Sequence, residues 1–539
     1  MIVERGTYGS LETALARLGS VVDEAATAIK RTAFSTIVRE SSDLTCTLFD
    51  ATGRSLSQSA VSIPAFCGTM PLTMRAFLDH LPASAWRPGD MLITNDPWLG
   101  TGHLPDVNIA SPVFRGGHLV AFICVVAHMP DIGGRVWAAD SPEIYHEGLR
   151  VPICLLAEQG RVNQAVVDIL RANVRLPDQV IGDLNSMLNA VRVAETRLTQ
   201  IMADLNLERF EPISTEIARR CEQAMRAALR RLPDGRYEAR REGEGIGSEF
   251  VIELAVTVAG DGLTLDFTGT SPQVPAAINS TFGYTAAYAY YALKCLLNPD
   301  LPNHEGAFAP ITLVVPEGSI LNCRHPAATS SRGLVGQCVV DTINQALAPA
   351  VPTAPAESGT PRPIAVVSGE QDDGRRFVSV IPLHSGMGAG PSWDGLSCVA
   401  YPTNTRNTPT EILELTVPVL IAAKGFAAGS GGAGTFRGGL GQYFAFTFRG
   451  RAGLLSILAQ RVRYPARGLD GGGPGSLARF LVNGEPANTN GTTPLAPGDF
   501  VEMWTAGGAG YGDPALRDPA AAAADEARGY RVPAGQADS

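Results

Sequence analysis

The sequence has no excess of basic side chains. Its 43 Lys and Arg stand against 53 Asp and Glu, a formal charge of −10 at neutral pH. There is therefore no cationic footprint for a nucleic-acid backbone or an anionic membrane. Long apolar runs are also missing. The longest nearly uncharged one, residues 119–127, is about half of the ~20 residues that a bilayer-spanning helix needs. The first ten residues carry Glu4 and Arg5 and no apolar stretch, which argues against a secretory signal and makes the cytoplasm the expected compartment. The nine cysteines are odd in number and scattered, with no C-x-x-C, so neither a disulfide framework nor a thiolate zinc site is expected. No G-x-S-x-G elbow is present to supply a hydrolase serine. No repeat of 20–50 residues marks a solenoid.

What the 539 residues do contain, with 45 % hydrophobic side chains, is enough for two to four folding units. Leu11, Leu15, Leu18, Val22 and Ile29 recur at helical spacing behind Ser10 as N-cap. Residues 45–49, 91–94 and 119–127 read as short buried strands. A long amphipathic helix over 178–205 and a second over 213–232, stopped by Pro233-Asp-Gly235, predict a central antiparallel helical pair. Alternation on either side of Gly260-Asp-Gly262 predicts a hairpin, as does Asn483-Gly484. A helix is expected over 284–297, and strands over 311–315 and 443–448. The fold class is accordingly α+β. It has an N-terminal α/β region with the helical pair (1–235), a mixed α/β region (236–425), a β-rich, Gly-rich C-terminal region (426–514) and a mobile tail (515–539).

The chemistry gathers between residues 95 and 147. His103 and Asp106 are three apart around Pro105, and His128 ends an apolar strand in Ala127-His-Met-Pro-Asp131. Two imidazoles and nearby carboxylates form the donor pattern of Zn, Mn or Fe(II), not of the oxygen-only Ca and Mg sites. Asp43, at the opening of a strand, is the upstream candidate for a further acid. The competing reading makes His103 and Asp106 turn residues and His128 a satisfied core histidine. His118, beside Gly116 and Gly117, reads as a solvated turn residue and His80 as surface. The Gly-rich run 429–441 lacks the Gly-Lys-Ser/Thr ending of a phosphate loop, so close packing is favoured over phosphate cradling, and Gly386-Met-Gly-Ala-Gly390 is equally unspecific.

Thr94-Asn-Asp-Pro-Trp-Leu-Gly-Thr-Gly-His-Leu-Pro-Asp-Val107 resembles the signature of the hydantoinase B/oxoprolinase family. The likeness continues through Arg39-Glu-Ser-Ser-Asp-Leu-Thr-Cys-Thr-Leu-Phe-Asp50, Ala127-His-Met-Pro-Asp-Ile-Gly-Gly134, Glu143-Ile-Tyr-His-Glu-Gly-Leu-Arg150, Asn407-Thr-Pro-Thr-Glu-Ile-Leu-Glu414, Phe436-Arg-Gly-Gly-Leu-Gly441 and Gly510-Tyr-Gly-Asp-Pro514. The resemblance implies one subunit of an ATP-dependent enzyme that opens hydantoins, 5-oxoproline or lactams. An A-type partner subunit would hold ATP and phosphorylate the substrate carbonyl oxygen, giving a hetero-oligomer. It also implies a divalent transition metal, Zn or Mn, on Asp43, His103, Asp106 and His128. Two departures stand out: Gly429 where the family often has Asp, and Met129 where it often has His or Trp.

Asp131 and Glu147 are the candidates for proton transfer or for supporting the ligands. Asp131 can equally cap the turn before Gly133-Gly134, and Glu147 can be a surface charge. A larger branch of the family carboxylates acetone and related ketones with longer chains, so the compact length here favours amide opening. The alternatives are therefore a carboxylase-type metal subunit and a non-catalytic structural partner of the A-type subunit.

Overall fold

A computed structural model describes residues 11–531 apart from 360–362, 372 and 490. Ser10, expected as an N-cap, and the end of the expected tail, 532–539, lie outside the described residues. The architecture is α+β, with helices set against mainly antiparallel sheets. Among the described residues no helix is long and apolar enough to cross a membrane.

The N-terminal sheet has seven strands: β1 (Leu44–Asp50), β2 (Ser55–Gln58), β3 (Met91–Thr94), β4 (Asp106–Arg115), β5 (His118–His128), β6 (Cys154–Glu158) and β7 (Arg161–Val162). They run in the order β2-β1-β5-β4-β3-β6-β7, every neighbouring pair antiparallel. β1 and β3 are buried along their whole length, and β5 from Val120 onward. Such strands have no solvated face, so their sequences read as continuous apolar runs and not as alternation. Helices Leu11–Thr32, Pro64–His80 and Pro177–Asp204 pack on this sheet. Its register matters for function. Asp106 at the start of β4 lies opposite His128 at the end of β5, and Leu44 pairs with Ala127. Asp43, His128 and Asp106 are thus carried on three adjacent strand ends.

The two long helices expected in the centre form as Pro177–Asp204 and Glu211–Leu229, but they do not pack chiefly on each other. The first lies along Leu11–Thr32 and the second against the Glu305–Phe308 turn. The wide stripe of Ile181, Leu184, Leu188, Val191 and Leu198 needs a long apolar partner, which the first helix supplies through Leu18, Val22, Ala25 and Ile29. The Gly260 hairpin joins Glu249–Ala259 to Gly262–Asp266, with Gly235–Glu244 and Ile311–Val314 on its two sides. The Asn483-Gly484 hairpin also forms, between Arg479–Val482 and Glu485–Pro486.

The Gly-rich run is a packing device. A Cβ placed on Gly438 would lie 1.9 Å from the Gly508 carbonyl oxygen, and one on Gly386 would lie 1.9 Å from that of Gly439. Backbones approach here more closely than any side chain allows. Gly438→Ala is expected to destabilise the chain by about 3 kcal/mol or more, because rigid backbone and not a flexible side chain must move. Denaturant unfolding of the variant checks this; a shift within about 0.5 kcal/mol, the ordinary surface-site range, would refute the close-packing account.

The expected mobile tail is corrected over its described part. Pro519–Ala527 is a helix capped by Asp518, whose carboxylate accepts from the Ala520 N–H. Buried Asp525 accepts from both Arg437 and Arg517. The Ala-rich composition that looks featureless is helix-forming, and this ion cluster anchors it.

Candidate metal centre

His103, Asp106 and His128 converge. One potential ligand atom from each lies within 4.8 Å of the others, and all three residues are 1 % exposed. The β4/β5 register brings Asp106 and His128 together, and the bend through Leu104-Pro105 returns His103 to the same point. Asp106 Oδ1 is 2.9 Å from His103 Nε2 and 2.9 Å from His128 Nδ1. Its other oxygen accepts from the Thr101 hydroxyl at 2.7 Å and from Arg332 Nη2 at 3.0 Å.

His103 Nδ1 lies 3.0 Å from the Ser330 carbonyl. With a metal ion bound, an N–H donated there would fix the ring's tautomer and turn the Nε2 lone pair toward the centre; without one, Nε2–H can donate to Asp106 Oδ1. Trp137 Nε1 donates to the same carbonyl at 2.9 Å, and its ring stands 5.0 Å from His128 and 5.7 Å from His103. Burial, reinforced by Arg332, lowers the His103 pKa to about 4 against the opposing pull of Asp106, so the imidazole is neutral at pH 7. For Asp106 burial pushes upward, but His103, the hydrogen bonds from both imidazoles and Arg332 outweigh it and hold the carboxyl well below its usual range. The result is two imidazoles and one carboxylate in a buried pocket. That N/N/O set fits a divalent transition metal better than Ca or Mg.

Asp43 is fully buried, and its carbonyl accepts from the His128 N–H at 3.1 Å. The tight group of three ligand atoms does not include its carboxylate. Asp131 and Glu147 line a cavity of about 40 Å3 beside His128, Trp137 and Ser330, room for ordered water. The carboxylate of Asp131 accepts from the Gly133 N–H at 3.0 Å and from the Arg175 side chain at 3.0 Å, with a further bond from the Arg175 backbone N–H. This is the turn-capping arrangement.

Glu147 is only 5 % exposed, which excludes the surface-charge alternative. Oε1 accepts from the Thr329 and Ser330 N–H groups at 2.9 and 2.7 Å, while Oε2 is buried without a hydrogen-bond partner among the described residues. Burial raises its pKa to about 7 although those two N–H groups pull it down. His118 and His80 are exposed, as expected.

Thr101, Trp137, Ser330 and Arg332 are neighbours of the cluster that the sequence reading missed. Arg332 is 4 % exposed, its Nε donates to the Thr101 carbonyl at 2.9 Å, and its guanidinium sits 4.0 Å from the Tyr284 ring centroid. Thr329-Ser-Ser-Arg332 carries no recognisable spacing. Its one chemical hint is an arginine among small polar residues far from any charge run.

The family model described as hydantoinase B/oxoprolinase matches residues 10–514. Caprolactamase subunit beta of Pseudomonas jessenii is 29 % identical over 549 residues, covering 97 % of this chain and 92 % of that one. The crystal structure of ATP-dependent caprolactamase from Pseudomonas jessenii superposes with a TM-score of 0.89 at 26 % identity, covering 97 % of this chain and 94 % of that one. The nucleotide-free structure of acetone carboxylase gives a TM-score of 0.87 at 19 % identity, covering 97 % of this chain and 78 % of that one, a likeness of fold.

Proposed function

The chain belongs to the hydantoinase B/oxoprolinase family, and from that premise we propose that it is the catalytic B subunit of an ATP-dependent cyclic amide hydrolase. Its substrate would be a hydantoin, 5-oxoproline or a lactam. An A-type partner would bind ATP and phosphorylate the carbonyl oxygen, and this subunit would open the activated ring, in a cytoplasmic hetero-oligomer. The observation that carries the reading is the buried cluster of His103, Asp106 and His128 with its neutral imidazole.

His103, Asp106 and His128 would hold a divalent ion, Zn or Mn, with Asp43 as the fourth residue because its backbone is already bonded to His128. Bound there, such an ion supplies Lewis acidity toward water or toward a carbonyl or phosphoryl oxygen. The protein's own groups do the rest. Ser330 orients His103, and Thr101 and Arg332 hold Asp106 ionised and in place. Trp137 walls the pocket. Glu147, with one free oxygen and a pKa near 7, is the group suited to take or give a proton. Asp131, committed to Arg175 and Gly133, acts as a positioning residue for the loop after β5.

Elemental analysis tests the cluster. Wild-type chain purified with its partner is expected to carry a transition metal, and His103→Ala and His128→Ala are each expected to weaken its retention by more than about 100-fold, since even outer partners of ligands are worth about 10–100-fold. Full metal content in both variants would overturn the assignment. ATP-dependent release of open-ring product from hydantoin, 5-oxoproline or ε-caprolactam by the reconstituted complex tests the reaction.

A further inference from the structure

Arg332 holds Asp106, and Arg332 must itself be held. An arginine side chain has many rotamers to lose on being fixed, and this one brings a positive charge to a cluster suited to a divalent cation. Its Nη2 lies 3.0 Å from Asp106 Oδ2, while His103 Nε2 and His128 Nδ1 each face Oδ1 at 2.9 Å. A guanidinium that moved from the Oδ2 side to the Oδ1 side would compete with a metal ion for the carboxylate.

Three contacts keep it off that side. Nε donates to the Thr101 carbonyl at 2.9 Å, Nη2 donates to Asp106, and the guanidinium carbon lies 4.0 Å from the Tyr284 ring centroid. The first two partners belong to the very loop and strand that Arg332 braces. Tyr284 comes from elsewhere, the first turn of helix Phe282–Leu297, and is 2 % exposed. A buried aromatic face attracts a cation through its quadrupole, and more strongly where water is excluded.

The ring is clamped in its turn. Gln337 Nε2 donates to its hydroxyl at 2.9 Å, and the Thr285 hydroxyl ties the start of the helix to the Leu321 carbonyl at 2.7 Å. A Cβ on Gly336 would lie 2.7 Å from Tyr284 Cδ1; one on Gly102 would lie 2.7 Å from Arg332 Nε and 3.0 Å from Tyr284 Cβ. Gly102 has a φ of +95°, a conformation glycine adopts freely, so the residue before His103 lies directly against both side chains. A rigid helix thus presents a fixed aromatic face, the guanidinium lies on it, and the guanidinium aims the carboxylate.

We infer that Tyr284 is a positioning residue of the metal cluster: its ring face keeps the Arg332 guanidinium on the Oδ2 side of Asp106 and leaves the Oδ1 side, with the two imidazoles, open to a divalent ion. The inference rests on the metal reading of that cluster and adds to it a residue that acts through Arg332.

Titration of the metal-free full chain with zinc and with manganese, in competition with a chromophoric chelator, tests it without turnover. Tyr284→Leu is expected to weaken metal binding about tenfold, the lower end of what outer partners of ligands are worth. Tyr284→Phe, which keeps the ring and loses only the bond to Gln337, is expected to stay within about threefold of wild type. In an Arg332→Met background, Tyr284→Leu is expected to have no further effect, because no guanidinium is left to hold. Pentafluorophenylalanine at position 284 repeats the test with the ring's packing retained. Its ring face is electropositive, and it is expected to bind metal about fivefold more weakly than Tyr284→Phe. Equal binding by the phenylalanine and pentafluorophenylalanine variants, or an undiminished effect of Tyr284→Leu in the Arg332→Met background, would overturn the inference and leave Tyr284 a packing residue. A wild-type chain that takes up neither metal would instead remove the cluster reading itself.

Discussion

Asp106→Asn is expected to strip the metal and reduce ring opening in the reconstituted complex to background, while ADP release by the partner continues. Asp106 is the one residue that touches everything in the cluster. Oδ1 faces both imidazoles and Oδ2 takes Thr101 and Arg332. An asparagine keeps the volume but removes the charge that a divalent ion needs. It also leaves Arg332, 4 % exposed, without its carboxylate. Breaking a buried pair from one side costs about 3 kcal/mol, so the variant is expected to be less stable as well as inactive. The two losses have separate causes and can be separated. Adding Arg332→Met to Asp106→Asn removes the stranded cation and is expected to restore part of the stability but none of the metal or product. Denaturant unfolding, elemental analysis and product assays on the two variants decide. Wild-type product from Asp106→Asn would show that Asp106 is no ligand. Dissociation of the complex would make its role structural.

The residues that were legible in the sequence lie within one sheet. His103, Asp106 and His128 come from a single β-meander, where H-x-x-D spacing and an apolar run ending in histidine show on the page what the strand register then brings together. Glu147 is close behind them in a short motif. The supporting groups come from much further along the chain: Trp137 meets Ser330 across 193 residues, and Asp106 meets Arg332 across 226. Nothing local announces such contacts, because tertiary packing alone creates them.

Elements were missed for a related reason. Gly235–Glu244 is a strand whose sequence, Gly-Arg-Tyr-Glu-Ala-Arg-Arg-Glu-Gly-Glu, shows charge and little apolar alternation. It lies at a sheet edge, half exposed, and among the described residues it pairs only with Glu249–Ala259. Edge strands carry charge as protection against further pairing, and charge hides them from a reading based on apolar period. The Gly-rich run is the converse case. Close packing is the role its sequence favours, and here the missing Cβ is what permits backbones to meet.

Glu147→Gln is expected to abolish a pH dependence that the wild type shows in two independent measurements. In the folded chain burial holds the Glu147 proton to about pH 7, whereas the unfolded chain releases it near the ordinary 4.5. Between those values the folded state binds more protons than the unfolded one, so stability falls as pH rises from about 4.5 to about 7 and is level above that. The loss is about 3 kcal/mol at 1.36 kcal/mol per unit. Unfolding of the metal-free chain across this window reads it directly, and in the glutamine variant, neutral throughout, the slope from this site disappears. A Gln side-chain oxygen can still accept from Thr329 and Ser330, so the local fold is retained. The second measurement is ring opening by the complex. If Glu147 moves a proton, its replacement lowers the rate by ~10²–10⁴ and removes the limb of the pH profile that belongs to it. A purely structural Glu147 would move the stability curve and leave the shape of the rate profile untouched. The pairing of the two curves therefore distinguishes a proton carrier from a buried acid that merely braces the loop carrying Ser330, and with it the ring of His103.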